Sequence, residues 1–355
     1  MLWIIVIFVV IGIPILHTLL TYKVTANNIE ADYQDDYNFE PQEQKKVTPQ
    51  MIDSPVTFTS FIGQQNVVEL LRMHILAAKK TGKVTPHILL DGPGGTGKTT
   101  LAMCTANAVD TNLYITTPST FKDKDSVINF LFDSNFGPKI GEGDVLFIDE
   151  IHRLRESAAI YLYSAMQDFY IDVGGSVLEL PKFTVIGATT DSGMMAAPFR
   201  DRFKVKLTLS TYNINDIADI IIDFKNIQKD IALELAKRSC GVPRIAKSLS
   251  DNISAYKDAN NIAELTLDHV DYICDLLGID KNGLNQSARK IVLYFQNNQN
   301  KPTGINSLAT TLNISKETIQ YEIFPTLFNL GLLISNGTRG KSLSENGLKY
   351  RLGCN

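Results

Sequence analysis

The chain has 355 residues, of which 44% are hydrophobic and 20% charged, and its formal net charge at pH 7 is −4. This balance is typical of ordinary globular protein and excludes disordered, collagen-like and multi-spanning membrane classes, while the length predicts two or three domains. The small negative charge gives no global attraction to nucleic acid, so any such binding requires a local basic patch. The four cysteines lie far apart without a C-x-x-C pair, which argues against a disulfide framework or a zinc site and indicates a reducing compartment.

Residues 1–24 are predicted to form a membrane anchor, with membrane contact through residues 2–22. The stretch from Leu2 to Leu20 carries no Asp, Glu, Lys or Arg, and a helix of about 20 apolar residues spans a bilayer core. A buried core helix and a cleavable signal peptide are the alternatives. Basic residues follow the segment and none precedes it, which favours a cytoplasmic location for the rest of the chain. A soluble cytoplasmic protein is the other interpretation.

The next stretch, residues 25–54, is predicted to be an acidic linker. It is polar and poor in aliphatic residues, a composition typical of a solvated tether rather than a packed element.

A phosphate-binding loop is predicted between a short apolar strand, residues 87–90, and a helix-forming stretch that begins near residue 100. Glycines let backbone N–H groups surround phosphate oxygens, the helix presents its positive amino end, Lys98 reaches the outer phosphates, and Thr99 offers a hydroxyl to Mg²⁺. Asp91, just before the glycines, is interpreted as a polar strand end rather than a ligand. The residues assigned to this nucleotide-binding loop are Gly92, Pro93, Gly94, Gly95, Thr96, Gly97, Lys98, Thr99 and Thr100.

A second buried strand, residues 145–148, ends in two carboxylates, Asp149 and Glu150. Its continuous apolar run is typical of a parallel sheet. Asp149 is predicted to hold the water shell of Mg²⁺, and Glu150 to polarise the attacking water. The alternative is a solvated acidic turn.

A third apolar strand, residues 183–188, ends in Thr189 and Thr190. If this strand lies between the other two, the hydroxyls stand beside the γ-phosphate. Either threonine suits a polar sensor, and Thr190 is preferred. Arg200 and Arg202, which flank an aspartate, suit a surface ion pair or an arginine finger offered to a neighbouring subunit.

Together these motifs resemble those of AAA+ ATPases, and specifically the RuvB family of Holliday-junction branch-migration motors. The resemblance extends from about Phe58 to Leu352. Its most specific pieces are FIGQ at 61–64, DEIHRL at 149–154, LYSAMQDF at 162–169 and GVPRIA at 241–246.

The resemblance implies an α/β fold: an AAA+ P-loop core with a parallel sheet, a helical lid and a C-terminal winged-helix domain. It implies ATP and Mg²⁺ as cofactors. It also implies a homo-oligomeric ring, a hexamer, that translocates DNA. By the same resemblance Ile62 and Tyr212 border the adenine, Arg202 is the finger and Arg244 is the second sensor arginine. Arg200 remains the alternative finger.

The chain from residue 212 onward is predicted to form two units. After Tyr212 the apolar residues follow a helical period, which predicts a small helical lid. From residue 280 a helix, a helix pair and two short strands predict a winged helix. Its basic turn, with Arg339 and Lys341, suits DNA phosphates, and the family uses an equivalent wing to touch DNA. A solvated basic hairpin is the alternative.

These patterns divide the chain into an anchor, a linker, an ATPase core, a lid and a winged-helix domain. The predicted boundaries are 1–24, 25–54, 55–211, 212–279 and 280–355.

Two features depart from the family. The hairpin that the family uses to grip its partner RuvA is short here, residues 169–181, so that contact is in doubt, and Asp191 stands where an arginine is usual. Two other functions are considered: a clamp-loader-like switch, and a membrane-tethered scaffold without DNA translocation.

Overall fold

The computed structural model describes residues 45–47, 56–133, 137–173 and 175–350. The predicted anchor and almost all of the predicted linker lie outside these residues. Within the described ranges, every helix is too short or too polar to cross a bilayer.

The strands of the described residues form one large sheet and three two-stranded hairpins. In chain order they are β1 (Lys45–Val47), β2 (Ile88–Asp91), β3 (Leu113–Thr116), β4 (Phe132–Asp133), β5 (Gly137–Pro138), β6 (Val145–Ile148), β7 (Tyr170–Val173), β8 (Ser176–Glu179), β9 (Thr184–Thr189), β10 (Val205–Thr208), β11 (Leu333–Ser335) and β12 (Lys341–Leu343).

The helices of the core and lid are α1 (Gln65–Thr81), α2 (Lys98–Val109), α3 (Lys124–Leu131), α4 (Glu156–Gln167), α5 (Ala197–Arg200), α6 (Ile214–Lys225), α7 (Lys229–Arg238), α8 (Pro243–Ala259) and α9 (Leu267–Leu276). Those of the last lobe are α10 (Gln286–Asn297), α11 (Ile305–Leu312), α12 (Lys316–Thr318), α13 (Phe324–Asn329) and α14 (Glu345–Lys349), with a π turn, Ile319–Ile323, between α12 and α13.

The large sheet has the strand order β1-β3-β6-β9-β2-β10. All neighbours from β3 to β10 run parallel. The central strands are buried on both faces, between two apolar clusters built around Phe183 and Phe147, which explains their uninterrupted apolar sequences. Strand β9 lies between β6 and β2, which meets the condition set for its threonines, and the carboxyl ends of all three strands meet at one edge.

Strand β1 departs from the prediction of a linker. Residues 45–47 pair antiparallel with β3, Lys46 opposite Tyr114. Without β1, the backbone N–H and C=O groups along one side of β3 would be unpaired at the edge of the sheet, and any extended segment of chain can satisfy them. Backbone pairing rather than side-chain hydrophobicity explains this strand, and composition therefore missed it.

The lid consists of α6 to α9 around its own apolar cluster, in which Ile217, Ile221 and Ile231 are fully buried. By helical spacing Phe224 lies on the same apolar face of α6 as Ile217 and Ile221. It is nevertheless 41% exposed, so this face is only partly buried in the core of the lid. Phe224 lies at the cavity described below.

The last lobe has the predicted winged-helix order, with α10 to α13 packed on the β11–β12 hairpin around Phe295 and Leu327. The π turn ends just before Pro325, a residue that has no N–H to complete a regular helical ladder.

Candidate nucleotide-binding site

The loop between β2 and α2 has a backbone that its glycines make possible. Gly95 and Gly97 have φ angles of 77° and 100°, which L side chains rarely adopt. Space is restricted too, because a Cβ at Gly95 would lie 2.7 Å from the Cβ of Arg244, and one at Gly97 would lie 3.1 Å from the ring of Phe61. Because these glycines lack side chains, Arg244 of the lid and Phe61, which precedes Ile62, pack directly against the backbone of the loop.

Lys98 begins α2 and is 6% exposed. Its Nζ donates hydrogen bonds to the carbonyl oxygens of Gly92, at 2.7 Å, and Pro93, at 2.9 Å. Burial lowers the pKa of this ammonium, while the carboxylates of Glu150 and Asp149 oppose that shift. The loop thus places an amine beside two carboxylates in a partly dehydrated site, where electrostatic interactions are strong.

Asp149 and Glu150 follow β6 directly, at the carboxyl edge of the sheet. Glu150 has a φ of 51°, a left-handed conformation that is uncommon for a residue with a side chain and that occurs often at functional sites. Its side chain is 32% exposed, and its Oε2 accepts a hydrogen bond of 3.2 Å from Thr190 Oγ1. The predicted polar sensor and the predicted catalytic carboxylate are therefore in direct contact.

Tyr212 joins the core to the lid. Its hydroxyl donates to the carbonyl oxygen of Thr96, 3.1 Å away, and its backbone N–H donates to Gly241 just before the start of α8. Burial raises the pKa of this phenol well above its usual range, so Tyr212 acts as a hydrogen-bond donor at neutral pH. The Thr96 side chain is fully buried and bonds Pro93, so it shapes the loop from inside.

A cavity of about 960 Å³ lies between the phosphate loop, the β6 edge and the lid. Of the residues predicted to bind nucleotide or magnesium, its walls include Ile62, Gly94, Gly95, Gly97, Lys98, Thr99, Thr100, Asp149, Glu150, Tyr212 and Arg244. Gly92 and Pro93 accept hydrogen bonds from Lys98, and Thr190 donates one to Glu150. These three residues are therefore connected to the cavity wall through Lys98 and Glu150. Its size is at the upper end of small-molecule sites.

The residues present fit ATP and Mg²⁺. A Cβ at Gly92, Gly95 or Gly97 would lie 2.5–3.1 Å from a neighbouring atom, whereas Gly94 has open space beside it, and the amino end of α2 opens at this loop. Thr99 and Asp149 supply hydroxyl and carboxylate oxygens, the donors that magnesium prefers.

The two candidate finger arginines lie apart from this cavity. Arg200 Nη1 donates to the carbonyl oxygen of Ser192 at 3.4 Å. Arg202 follows α5, and its Nε is buried without a hydrogen-bond partner among the described residues. Neither arginine is among the residues that line the cavity. The structure therefore does not place them where the phosphates of a nucleotide bound to the same chain would lie.

The sequence analysis gave no role to several residues at the site. His152 bonds Thr189 and faces Glu150. Asp91, interpreted as a polar strand end, is the last residue of β2 and accepts a 2.5 Å hydrogen bond from Ser192. From the lid, Asp223 and Lys247 line the cavity beside the residues already named. His152 was visible as the fourth letter of the DEIH motif, whereas nothing in the sequence pointed to the lid residues.

In the winged-helix lobe the predicted DNA-binding residues lie at the β11–β12 turn. Arg339 is exposed, in a short 3₁₀ turn. Lys341 Nζ donates to Ser335 Oγ at 2.8 Å and stands 5.5 Å from the centre of the Phe328 ring. The structure therefore places both cationic side chains on one hairpin. Lys341 is partly engaged, whereas no side chain within the described residues forms a hydrogen bond or ion pair with Arg339.

Comparison with known proteins now identifies the family. The model of the Holliday junction DNA helicase RuvB P-loop domain matches residues 54–209, and that of the RuvB C-terminal winged helix domain matches residues 281–351. The Holliday junction branch migration complex subunit RuvB of Fervidobacterium nodosum is 36% identical over 315 residues, which cover 85% of this chain and 88% of the relative. The chain belongs to the RuvB family.

Other relatives agree with this assignment. The RuvB subunit of Lacticaseibacillus casei is 34% identical over 330 residues, 89% of this chain and 94% of its own. The solved structure of the Thermotoga maritima RuvB Holliday junction branch migration motor superposes with a TM-score of 0.75 at 34% identity, and the match covers 84% of this chain and 98% of that one. The α/β AAA+ fold with a winged-helix end, predicted from the motifs, is confirmed.

Within this RuvB chain, the β7–β8 hairpin is as short as the sequence indicated. Each strand has four residues, Gly175 lies in the turn between them, and the exposed Val177 and Tyr170 are its apolar side chains at the surface.

Proposed function

We propose that this protein is an ATP-hydrolysing DNA motor that drives branch migration of Holliday junctions in recombination and repair. The observation that carries the proposal is the cavity in which a phosphate loop, two strand-end carboxylates and a lid arginine meet, in a chain whose last lobe is a RuvB winged helix. A clamp-loader-like switch and a nucleotide-binding scaffold are disfavoured by the same pairing of cavity and wing.

In the proposed mechanism Lys98 and Arg244 bind the phosphates of ATP, and Ile62 and Tyr212 border its adenine. Thr99 and Asp149 would hold Mg²⁺, which would neutralise charge on the phosphate oxygens. Glu150 orients the attacking water and accepts its proton, and Thr190 contacts the outer phosphate. Positioning and charge stabilisation account for most of the catalysis of phosphoryl transfer.

Arg202 is proposed to act on the site of a neighbouring subunit. Its position after α5, outside the cavity of its own chain, supports this, as does the buried Nε without a partner among the described residues. A guanidinium offered across an interface makes hydrolysis depend on assembly. A ring, by family likeness a hexamer, is the assembly that gives every site such a neighbour. Arg200, tied to Ser192, is the weaker candidate.

The wing is proposed to contact DNA through Arg339 and Lys341. The relatives are named as subunits of a branch migration complex, and this chain is proposed to join a similar complex. The short β7–β8 hairpin makes its grip on a RuvA-like partner weaker than the family contact.

The segment of residues 2–22 is proposed to anchor the protein in a membrane, with the ATPase on the cytoplasmic side. Its support is the sequence alone, a stretch without charged residues and followed by lysines. Fractionation of cells that express the chain with and without residues 1–24 tests this proposal. An unchanged distribution of the protein between the membrane and soluble fractions would contradict it.

The proposed function is tested on the full chain with a synthetic four-way junction and a linear duplex of the same sequence. We expect ATP hydrolysis that DNA stimulates and strand exchange of the junction that requires ATP. The Lys98→Ala variant serves as the blank for both assays. ATP hydrolysis without any response to junction or duplex would favour the scaffold, and stimulated hydrolysis without strand exchange would favour the clamp-loader-like switch.

A further inference from the structure

His152 occupies a position that the mechanism above does not use. Glu150, with its left-handed backbone, precedes the 3₁₀ turn Ile151–Arg153. This turn brings His152 Nδ1 to 3.4 Å from Glu150 Oε2. The His152 side chain is only 2% exposed, so the imidazole faces the carboxylate from the protein interior.

The same ring nitrogen also contacts the neighbouring strand. His152 Nδ1 lies 2.9 Å from Thr189 Oγ1, and Thr189 Oγ1 accepts a hydrogen bond of 3.0 Å from the backbone N–H of Asp191. Thr189 is fully buried at the end of β9. His152 therefore links the carboxylate after β6 to the strand that carries Thr190.

The single hydroxyl proton of Thr190 indicates the role of the link between His152 and Glu150. The Thr190 hydroxyl has a single proton, which it now donates to Glu150. When Thr190 instead donates to the outer phosphate of ATP, as proposed above, Glu150 loses that bond. Among the described residues, the side chains that contact the Glu150 carboxylate are those of Thr190 and His152, so His152 then remains.

We propose that His152 is a positioning residue that orients the Glu150 carboxylate for water activation after Thr190 has turned to the phosphate. It acts through Glu150 and touches neither ATP nor water. Thr189, held by the Asp191 amide, fixes the imidazole in turn. The proposal rests on the ATPase function proposed above and adds a residue to its machinery.

The test compares steady-state ATP hydrolysis by the full chain, in the presence of junction DNA, for three variants and one control variant. His152→Ala and Thr189→Val are expected to lower kcat about tenfold, with KM for ATP changed by less than about twofold, because orientation of the base matters in the transition state and not in ATP binding. His152→Asn, which keeps a polar atom near the place of Nδ1, is expected to recover most of kcat. If His152→Ala does not fold, the other two variants decide.

His87→Asn is the matched control. His87 is a partly buried histidine that also has two hydrogen bonds, to Met166 and Val185, but it lies just before β2, at the opposite edge of the sheet. This variant is expected to lose stability and to keep kcat. A fall in kcat equal to that of His152→Ala would show that loss of any hydrogen-bonded histidine has this effect and would overturn the proposal.

A double variant tests the route through Glu150. In a Glu150→Gln background, adding His152→Ala is expected to lower the residual kcat no further, because residues that act through one another are not additive. A further tenfold fall would overturn the proposal, as would wild-type kcat in His152→Ala. Wild-type protein that hydrolyses no ATP would overturn the proposed function as well, so the two failures are distinguishable.

Discussion

The cationic side chains of the nucleotide cavity and of the wing lie in opposite environments, one buried and one exposed. Lys98 is 6% exposed and bonded to two backbone carbonyls of its own loop, whereas Arg339 is exposed on a turn. A buried, oriented charge acts at short range with little screening, while an exposed one acts through solvent and salt. Single changes in the cavity should therefore abolish chemistry, and single changes in the wing should only weaken binding.

The largest expected effect lies between subunits. Arg202→Ala should lower kcat about 1,000-fold, since an arginine supplied in trans contributes that much or more in related phosphoryl transfer. Mixing Arg202→Ala with Lys98→Ala subunits should restore part of the activity, because some sites then combine an intact Lys98 with an intact Arg202. ATPase assays over a range of mixing ratios measure this. No recovery at any ratio would contradict an arginine shared between subunits, and the same series with Arg200→Ala tests the alternative.

Within the cavity, Lys98→Ala and Glu150→Ala should each lower kcat about 100-fold or more, because each removes one oriented charge from the transition state. Thermal unfolding should show both variants folded. Full turnover in Glu150→Ala would remove the role assigned to that carboxylate.

The shape of the phosphate loop is tested by Gly95→Ala. Its φ of 77° and the 2.7 Å approach to Arg244 should weaken the binding of an ATP analogue about tenfold, since strain of roughly 1–2 kcal/mol is placed where the lid closes. Gly82→Ala is the control, because Gly82 also has a positive φ, 62°, but a Cβ there meets nothing within 4 Å. It should lose stability without any change in affinity, and equal losses of affinity would contradict the argument.

At the wing, Arg339→Ala should weaken duplex binding a few-fold, equally for unrelated sequences, and should reduce the slope of log affinity against log salt by about 1. Fluorescence anisotropy at several salt concentrations measures both. Lys229→Ala removes the same charge from an exposed position on the lid and should leave the slope unchanged. If the two variants behave alike, the wing has no special role.

The smallest effect concerns pH and stability. Burial lowers the pKa of His87 below its ordinary value of 6.5, so the unfolded chain binds the proton more readily than the folded one. The stability that depends on a neutral His87 is complete above pH 6.5 and is lost as the pH falls through the lowered pKa. In His87→Asn the free energy of unfolding should fall less steeply between pH 7 and 5 than in the wild type. An unchanged slope would contradict this.

The motifs of the ATPase core were readable because their chemistry depends on local backbone. The glycine loop, the pair Asp149 and Glu150, and the pair Thr189 and Thr190 each lie at the carboxyl end of an apolar strand. Parallel strands bring their carboxyl ends to one edge. The order of the strands was only a condition of the interpretation of the two threonines, and the structure meets it by placing β9 between β6 and β2.

Other features had no local signature. The pairing of Lys45–Val47 with β3 is a backbone interaction that composition does not encode. The approach of Arg244 to Gly95 depends on how the lid packs on the core. The exclusion of Arg202 from its own cavity depends on the path of the chain after α5.

The sequence by itself determined the order of the elements and the kind of chemistry, because glycine conformation, strand hydrophobicity and helix starts are properties of short stretches of chain. Only the tertiary structure decided which side chains share one environment. His152 shows the difference, since it takes its significance from a buried threonine 37 positions away. Its contact with Glu150 comes from a local turn, but its hydrogen bond with Thr189 exists because β6 and β9 are neighbours. Hydrogen bonds between distant residues form only when folding brings them within about 3 Å of each other.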